Sequence, residues 1–152
     1  MMQGHGMGVV GADNLSGRLA ETLYTEALLL ADEMHSYFDG AGARDREVLD
    51  PQGRVLFVCE SLKATTRLMH VIAWLATRRA MDAGELVSVD GLGAAAASAP
   101  GDLGRMPTAA RRLILAGIDL YERVARVAAG IDAPLTTASP ARVLIQRLER
   151  AF

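Results

Sequence analysis

The sequence predicts an all-α protein, an antiparallel bundle of three long helices followed by a short C-terminal helix. Hydrophobic residues make up 51% of the 152 positions but aromatic residues only 5%, and this Ala-, Leu- and Val-rich composition favours packed helices over strands. In three long segments, apolar residues recur every three or four positions, as they do along one face of a helix. Proline and glycine stand where these segments should begin and end.

The first helix is predicted over residues 14–38, after a flexible, Gly-rich lead-in at residues 1–13. Its apolar positions follow one side of the helix and are Leu15, Leu19, Leu23, Ala27, Leu30, Met34 and Phe38. Asp39 and Gly40 should end it, because glycine readily adopts the left-handed conformation found just past a helix. We expect a polar connection over residues 39–50.

The second helix is predicted to start at Asp50 and Pro51 and to run to about Asp82, just before Gly84. Aspartate is a favoured N-cap, and proline loses no hydrogen bond at the first helical position. The helix carries two apolar stripes, although one is enough to pack against a single layer. The first stripe is Val55, Val58, Cys59, Leu62, Thr66, Met69, Ala73, Ala76 and Ala80, and the second is Phe57, Ala64, Leu68, Val71 and Leu75. Such a helix is buried on both sides, or is covered on one side by a partner subunit.

Residues 83–106 are rich in Gly, Ala, Ser and Pro, and we interpret them as a mobile loop within the bundle. The four alanines at 94–97 form a helical turn in the alternative interpretation. The third helix is predicted from Pro107 or Thr108 to about Ala129, so that the bundle spans residues 14–129. Residues 130–152 are expected to form a linker and a short helix that begins at Ser139 and Pro140.

A polar strip on the second helix is the candidate partner-binding site. Its members step by three or four residues, include the only tryptophan, and are Glu60, Lys63, Arg67, His70, Trp74 and Arg78. Trp and Arg dominate the energetics of protein interfaces, which favours a binding face. In the alternative the strip is a solvated face with weak ion pairs along the helix, and Trp74 belongs to the core.

The sequence offers no arrangement of residues that favours catalysis. Its three histidines are too scattered to bind a metal together and are His5, His35 and His70. Gly6, Gly8 and Gly11 match the spacing of a dinucleotide-binding loop, but too few residues precede them to form the required strand. The single cysteine, Cys59, is interpreted as a core residue. We therefore expect no enzyme activity, no cofactor and no metal.

The net charge and the number of cysteines indicate which classes of partner and which cellular compartment to expect. The net charge of −2 disfavours binding to nucleic acid or to an anionic membrane. Two arginine pairs, Arg78–Arg79 and Arg111–Arg112, nevertheless leave a weak DNA-associated regulator as an alternative. One cysteine rules out an internal disulfide, and no run of about 18 apolar residues is present. We expect a cytoplasmic protein without membrane association.

One stretch of the second helix carries a family resemblance, namely Glu60-Ser61-Leu62-Lys63-Ala64-Thr65-Thr66-Arg67-Leu68-Met69, continuing as His70-Val71-Ile72-Ala73-Trp74-Leu75. Tyr24, Glu26 and the Tyr37-Phe38-Asp39-Gly40 run in the first helix belong to the same pattern, as does the chain end from Leu148 to Phe152. The sequence resembles the regulator of CtrA degradation (RcdA) family of small alphaproteobacterial proteins.

The resemblance implies a homodimeric three-helix bundle without catalytic residues. It also implies an adaptor that delivers substrates such as the CtrA response regulator to the ClpXP protease, with other adaptors, in cell-cycle-regulated proteolysis. Carried over to this chain, it points to residues 130–152 for partner binding. The alternative is a dimeric helical interaction module in signalling outside proteolysis.

Overall fold

The computed structural model describes residues 7–86, 88, 90–132 and 147–151, and its described residues are helical or without regular structure. The helices between residues 7 and 132 are α1 (Met7–Asp39), α2 (Ala41–Glu47), α3 (Pro51–Asp82), α4 (Pro100–Gly104) and α5 (Thr108–Asp132). Residues 147–151 are helical as well. The predicted all-α class is confirmed, and α1, α3 and α5 are the three long helices.

Local signals set both ends of α3 where the sequence predicted them. The Asp50 side chain caps the helix, because its Oδ1 accepts a hydrogen bond from the Gly53 amide at 2.7 Å. At the other end Gly84 has a positive φ of 76°, which costs glycine little. This turn lets the Glu85 amide donate back to the Ala80 carbonyl at 2.9 Å. Residues next to α3 in the sequence therefore determine where the helix begins and ends.

Two other boundaries differ from the expectation. Helix α1 begins at Met7, so residues 7–13 are helical instead of forming part of the lead-in. The segment holds no proline, and each glycine weakens a helix by only about 1 kcal/mol. The polar connection over residues 39–50 contains α2, which is fastened to the end of α1 by the Tyr37 hydroxyl, a donor to Asp45 Oδ2 at 2.7 Å. The predicted start of the last helix at Ser139 lies outside the described residues.

Contacts at the two ends of α1 establish the direction of the other long helices. Near the start of α1, Glu21 accepts a hydrogen bond at 2.6 Å from Arg79, close to the end of α3. Near its end, Phe38 packs edge-on against Phe57, close to the start of α3, with ring centroids 5.7 Å apart. Helices α1 and α3 are therefore antiparallel.

Helix α5 is also antiparallel to α1. Glu26 pairs with Arg123, and further along α1 Met34 lies against Gly117, which comes earlier in α5. It follows that α3 and α5 run in the same direction, so the three helices do not alternate in direction as the predicted antiparallel bundle would. The reason is the connection at residues 83–107, named the crossover segment below, which brings the chain back along the length of α3.

The core lies where α1, α3 and α5 meet. Its largest fully buried apolar side chains come from α3 and α5 and are Leu75, Val71, Ile114, Leu120 and Val124. Helix α1 contributes Ala20, Leu23, Ala27 and Met34, and the end of the crossover segment closes one end of the core with Leu103 and Met106. The second predicted stripe of α3, from Phe57 to Leu75, is thus the stripe that the bundle buries.

Replacing the cap of α3 should lower stability without changing the fold. We expect Asp50→Ala to reduce the free energy of unfolding by about 1 kcal/mol, because the Gly53 amide loses its partner. Urea denaturation followed by circular dichroism measures this loss. The neighbouring exposed variant Gln52→Ala is the control and should change stability by less than about 0.5 kcal/mol; equal losses for the two variants would argue against the cap.

Candidate functional site

The predicted polar strip of α3 is covered by the chain itself. Glu60, Arg67 and Trp74 have exposed fractions of 0%, 3% and 6%, whereas Lys63, His70 and Arg78 are half-buried. Residues 92–99 of the crossover segment lie against this strip, as the contacts below show. The expectation of an open partner-binding face at these six residues is therefore corrected, and so is the alternative of a solvated face.

A buried carboxylate organises the contact between α3 and the crossover segment. Glu60 accepts hydrogen bonds from Ser98 Oγ at 2.5 Å and from Lys63 Nζ at 3.0 Å. Lys63 also donates to the Ala97 carbonyl at 3.2 Å. Arg67 Nη2 donates to the Ala96 carbonyl at 2.9 Å and to Ser98 Oγ at 3.3 Å. Each charged group thus has an opposite charge or a polar partner nearby, as burial requires.

Arg67 shows the effect of burial on this network. Loss of water lowers the pKa of its guanidinium group, and the nearby Glu60 carboxylate opposes that change by favouring the charged form. The nearby Tyr121 side chain acts on this pKa in the same direction as Glu60. The Ala96 carbonyl accepts a hydrogen bond from the same guanidinium group, and such a bond is stronger when its donor is a cation. Lys63 and Arg67 thus bind main-chain carbonyl groups of an extended segment, and that segment is residues 96–98 of the same chain.

A second set of contacts holds the crossover segment one turn further along. The Tyr121 hydroxyl of α5 donates to the Gly93 carbonyl at 2.6 Å. Gly93 also lies so close to His70 that a Cβ at this position would come within 2.7 Å of two atoms of the imidazole ring. Glycine is therefore required by the close approach. We expected residues 83–106 to be a mobile loop; of its described residues, Gly93, Ala96, Ala97 and Ser98 have defined contacts with α3 or α5.

The surface left open on α3 is the first predicted stripe. Between residues 55 and 73, every exposed residue of α3 is uncharged. These residues are named the open face and are Val55, Val58, Cys59, Leu62, Thr65, Thr66, Met69 and Ala73. Val55, Leu62 and Met69 have exposed fractions of 65%, 64% and 63%. The expectation of a buried Cys59 is wrong, because the residue is exposed on this face.

Shallow grooves extend the open face towards α1. One of about 250 Å³ is lined by residues that include Ala31, Phe38, Met69 and Ile72. A second of about 220 Å³ is lined by residues that include Phe38, Phe57, Val58 and Leu62. Large contiguous apolar surfaces on a folded protein mark sites of contact with other molecules. The stripe was visible in the sequence, but only the packing identifies it as the exposed one.

Other residues with possible functional roles are accounted for by local contacts. Arg79 pairs with Glu21 and lies 4.4 Å from the Tyr24 ring centroid, and Arg78 lies 3.3 Å from Asp82. Gly8 and Gly11 lie within α1. The described residues contain no group of three or more His, Cys, Asp or Glu that could hold a metal ion. No helix in the described part of the chain has the length and apolarity of a membrane span.

Comparisons with known proteins agree with the expected resemblance. A family model described as protein of unknown function (DUF1465) matches residues 11–152. The chain is also similar to the crystal structure of RcdA from Caulobacter crescentus CB15, with 28% sequence identity and a TM-score of 0.58. That similarity covers 73% of this chain and 88% of the RcdA chain. No curated protein matches the sequence. The resemblance to the RcdA family is confirmed.

The buried Glu60 should contribute far more to stability than an exposed carboxylate in a similar ion pair. We expect Glu60→Ala to reduce the free energy of unfolding by about 3 kcal/mol, because Lys63 and Arg67 lose their buried counter-ion. Urea denaturation measures the loss, and Glu21→Ala, which removes the exposed pair with Arg79, is the control at about 0.5 kcal/mol. Similar losses for the two variants would contradict the role of Glu60.

A side chain at position 93 should separate the crossover segment from α3. We expect Gly93→Ala to destabilise the protein by about 2 kcal/mol, because the new methyl group overlaps the His70 ring. Adding His70→Ala should restore most of the loss, which a double-mutant cycle measures by thermal or urea unfolding. Gly91→Ala, with no atom near the added methyl group, should be almost neutral. Absence of rescue by His70→Ala would show that the two residues are not in contact.

Proposed function

The chain belongs to the family described as protein of unknown function DUF1465, and we propose that it is a non-enzymatic adaptor in cell-cycle-regulated proteolysis. In this role it brings substrates such as the CtrA response regulator to the ClpXP protease, together with other adaptors. The observation that carries the proposal is the similarity to RcdA, which extends over 88% of that chain. A cytoplasmic location and a homodimeric state are parts of the same proposal.

The surface of the bundle supports a binding role. The open face presents uncharged side chains along about five turns of α3, and such a face is typical of contact with another protein. Among the described residues after α5, Leu148 is also exposed, at 58%, so the chain end offers a second apolar group for a partner. We propose that residues 130–152 take part in partner binding, and this exposed leucine supports the proposal.

An adaptor increases the rate of degradation without chemistry of its own. When it holds a substrate and the protease together, capture of the substrate becomes intramolecular, with an effective concentration in the millimolar range for short tethers. Modest affinity for each partner is then sufficient, because both contacts act at once. The groups that matter are those that bind, so the role requires no catalytic centre.

Degradation reconstituted from purified components tests the proposal. With ClpXP, ATP, a CtrA-like substrate below saturation and partner adaptors, we expect addition of this protein to increase the degradation rate about tenfold or more. A ClpXP substrate that needs no adaptor is the control, and its rate should not change. An unchanged rate for the CtrA-like substrate, with no co-purification of ClpX or substrate, would contradict the proposal.

A chain truncated after residue 138 is the informative variant in the same assay. The described core ends at Ala128, so the truncated protein should keep its thermal stability while its stimulation of degradation falls. Loss of folding on truncation would instead place residues 139–152 in the core.

A further inference from the structure

The groove that holds the crossover segment binds it mainly through main-chain atoms. We name it the backbone groove, and its four polar side chains are Glu60, Lys63, Arg67 and Tyr121. Residues 93–98, named the resident segment, occupy it. Three carbonyl groups and one hydroxyl group make the hydrogen bonds, and they belong to Gly93, Ala96, Ala97 and Ser98. Because every protein has main-chain carbonyl groups, such a groove can bind segments of other sequences.

The resident segment buries little of its own surface. Ala94, Ala96 and Ala97 are exposed, and an alanine has only one methyl group to bury. The buried core residues of the crossover segment are Leu103 and Met106, which lie beyond the resident segment. Release of residues 93–98 therefore leaves these core contacts in place. Local opening of this kind requires less free energy than unfolding of the whole protein.

The backbone groove has binding capacity that the resident segment does not use. Arg67 is only 3% exposed, yet its Nη1 atom has no hydrogen-bond partner in the described part of the chain, which is unusual for a buried donor. The charges are also unbalanced, because Lys63 and Arg67 outnumber Glu60 and residues 91–99 carry no charge. The resident segment thus leaves one donor and one positive charge of the groove uncompensated.

We infer that the backbone groove is a binding site for an extended segment of another protein, rich in small residues and with one acidic side chain. The resident segment occupies the groove when this partner is absent. Small residues are required because Gly93 lies so close to His70 that a Cβ would overlap the imidazole ring. The acidic side chain supplies the acceptor and the negative charge that residues 93–98 lack.

Position 95 of the resident segment is the place for this acidic side chain. Ala95 is half-buried, whereas the other alanines at 94–97 are exposed, so it is the alanine whose side chain the protein partly covers. A partner segment with aspartate or glutamate at the equivalent position would bring a carboxylate to the groove. The inference goes beyond the proposed role in proteolysis, since residues of this chain alone define the site.

The resident segment competes with any partner for the groove. Because both of its ends are tethered, its effective concentration is in the millimolar range, and a free peptide has to displace it. A change that loosens the resident segment should therefore strengthen the binding of a partner peptide without adding a contact. Such a gain distinguishes binding in the groove from binding elsewhere on the surface.

Fluorescence polarisation of a labelled peptide tests the inference. The probe has the sequence of residues 91–100 with Ala95→Asp, and the protein carries Gly93→Ala, whose methyl group overlaps the His70 ring. We expect this protein to bind the probe at least about tenfold more tightly than the wild type does. Gly91→Ala, with no atom near the added methyl group, is the matched control and should bind as the wild type does. Circular dichroism checks that both variants remain helical.

A second variant loosens the resident segment without adding an atom. Ser98→Ala removes the hydrogen bonds that the Ser98 hydroxyl group makes with Glu60 and Arg67, and it should also increase affinity for the probe. Equal affinity of the wild type and both loosened variants would overturn the inference, because the probe and the resident segment would then not share a site. Absence of probe binding to the loosened variants at millimolar concentration would overturn it as well.

A second peptide tests the preference for an acidic side chain. With Ala95→Lys in place of Ala95→Asp, binding to the Gly93→Ala protein should be about tenfold weaker or more, because like charges then face each other near Arg67. Adding Arg67→Met to that protein should reduce the difference between the two peptides. Both peptides are compared on one folded protein, so the comparison does not depend on the folding of the Arg67 variant. Equal binding of the two peptides would overturn the acidic chemistry of the partner.

Proteolysis by elastase measures release of the resident segment directly. The enzyme cleaves after small residues, and mass spectrometry identifies cuts within the four alanines at 94–97. Cleavage there should be about tenfold faster in Gly93→Ala than in Gly91→Ala, with the long helices intact. Cleavage that occurs only when the whole protein unfolds would overturn the inference.

These measurements use neither ClpXP nor a CtrA-like substrate. A chain that does not bind the probe and yet stimulates degradation contradicts only the inferred site. A chain that binds the probe and does not stimulate degradation contradicts only the adaptor role.

Discussion

The burial of the Glu60 carboxylate beneath the crossover segment is the interaction on which the rest of the structure depends. A carboxylate that loses contact with water needs hydrogen-bond donors and positive charge close by. Lys63 supplies both from the next turn of α3, Arg67 adds a second positive charge one turn further on, and Ser98 supplies a donor from the segment itself. The same cations hold the carbonyl groups of Ala96 and Ala97, so one cluster both neutralises the buried charge and fastens the backbone.

This fastening determines how the bundle is assembled. Because α3 and α5 run in the same direction, the chain must travel back along the whole of α3 before α5 can begin. The polar strip provides the path, and α1 and α5 cover the apolar side of the same helix. One side of α3 remains, and on it stand uncharged residues from Val55 to Ala73. The uncharged surface that suits contact with a partner is thus the side of α3 that the rest of the chain leaves uncovered.

Much of the fold could be predicted because the signals for it are local. Asp50, Pro51 and Gly84 define the ends of α3 through contacts within a few residues, and the apolar spacing defines the buried side of α5. In α1 the predicted stripe is buried at Leu23, Ala27 and Met34, whereas Leu15 and Leu19, predicted in the same stripe, are exposed. The errors arise where distant residues decide the outcome. Helix α2 is held against the end of α1 by the hydrogen bond from Tyr37 to Asp45, and Cys59 was assigned to the core because its neighbours in the stripe are apolar.

In the candidate site, too, some features follow from local sequence and others depend on contacts between distant residues. By itself, the sequence determined that the protein is all-α, where its long helices lie, that α3 has two apolar stripes and one polar strip, and which family it resembles. Only the tertiary structure decided that the polar strip is buried, that one stripe is open, and that α3 and α5 are parallel. The reason is physical: periodicity is a property of a single helix, whereas burial depends on which distant segment crosses each of its sides.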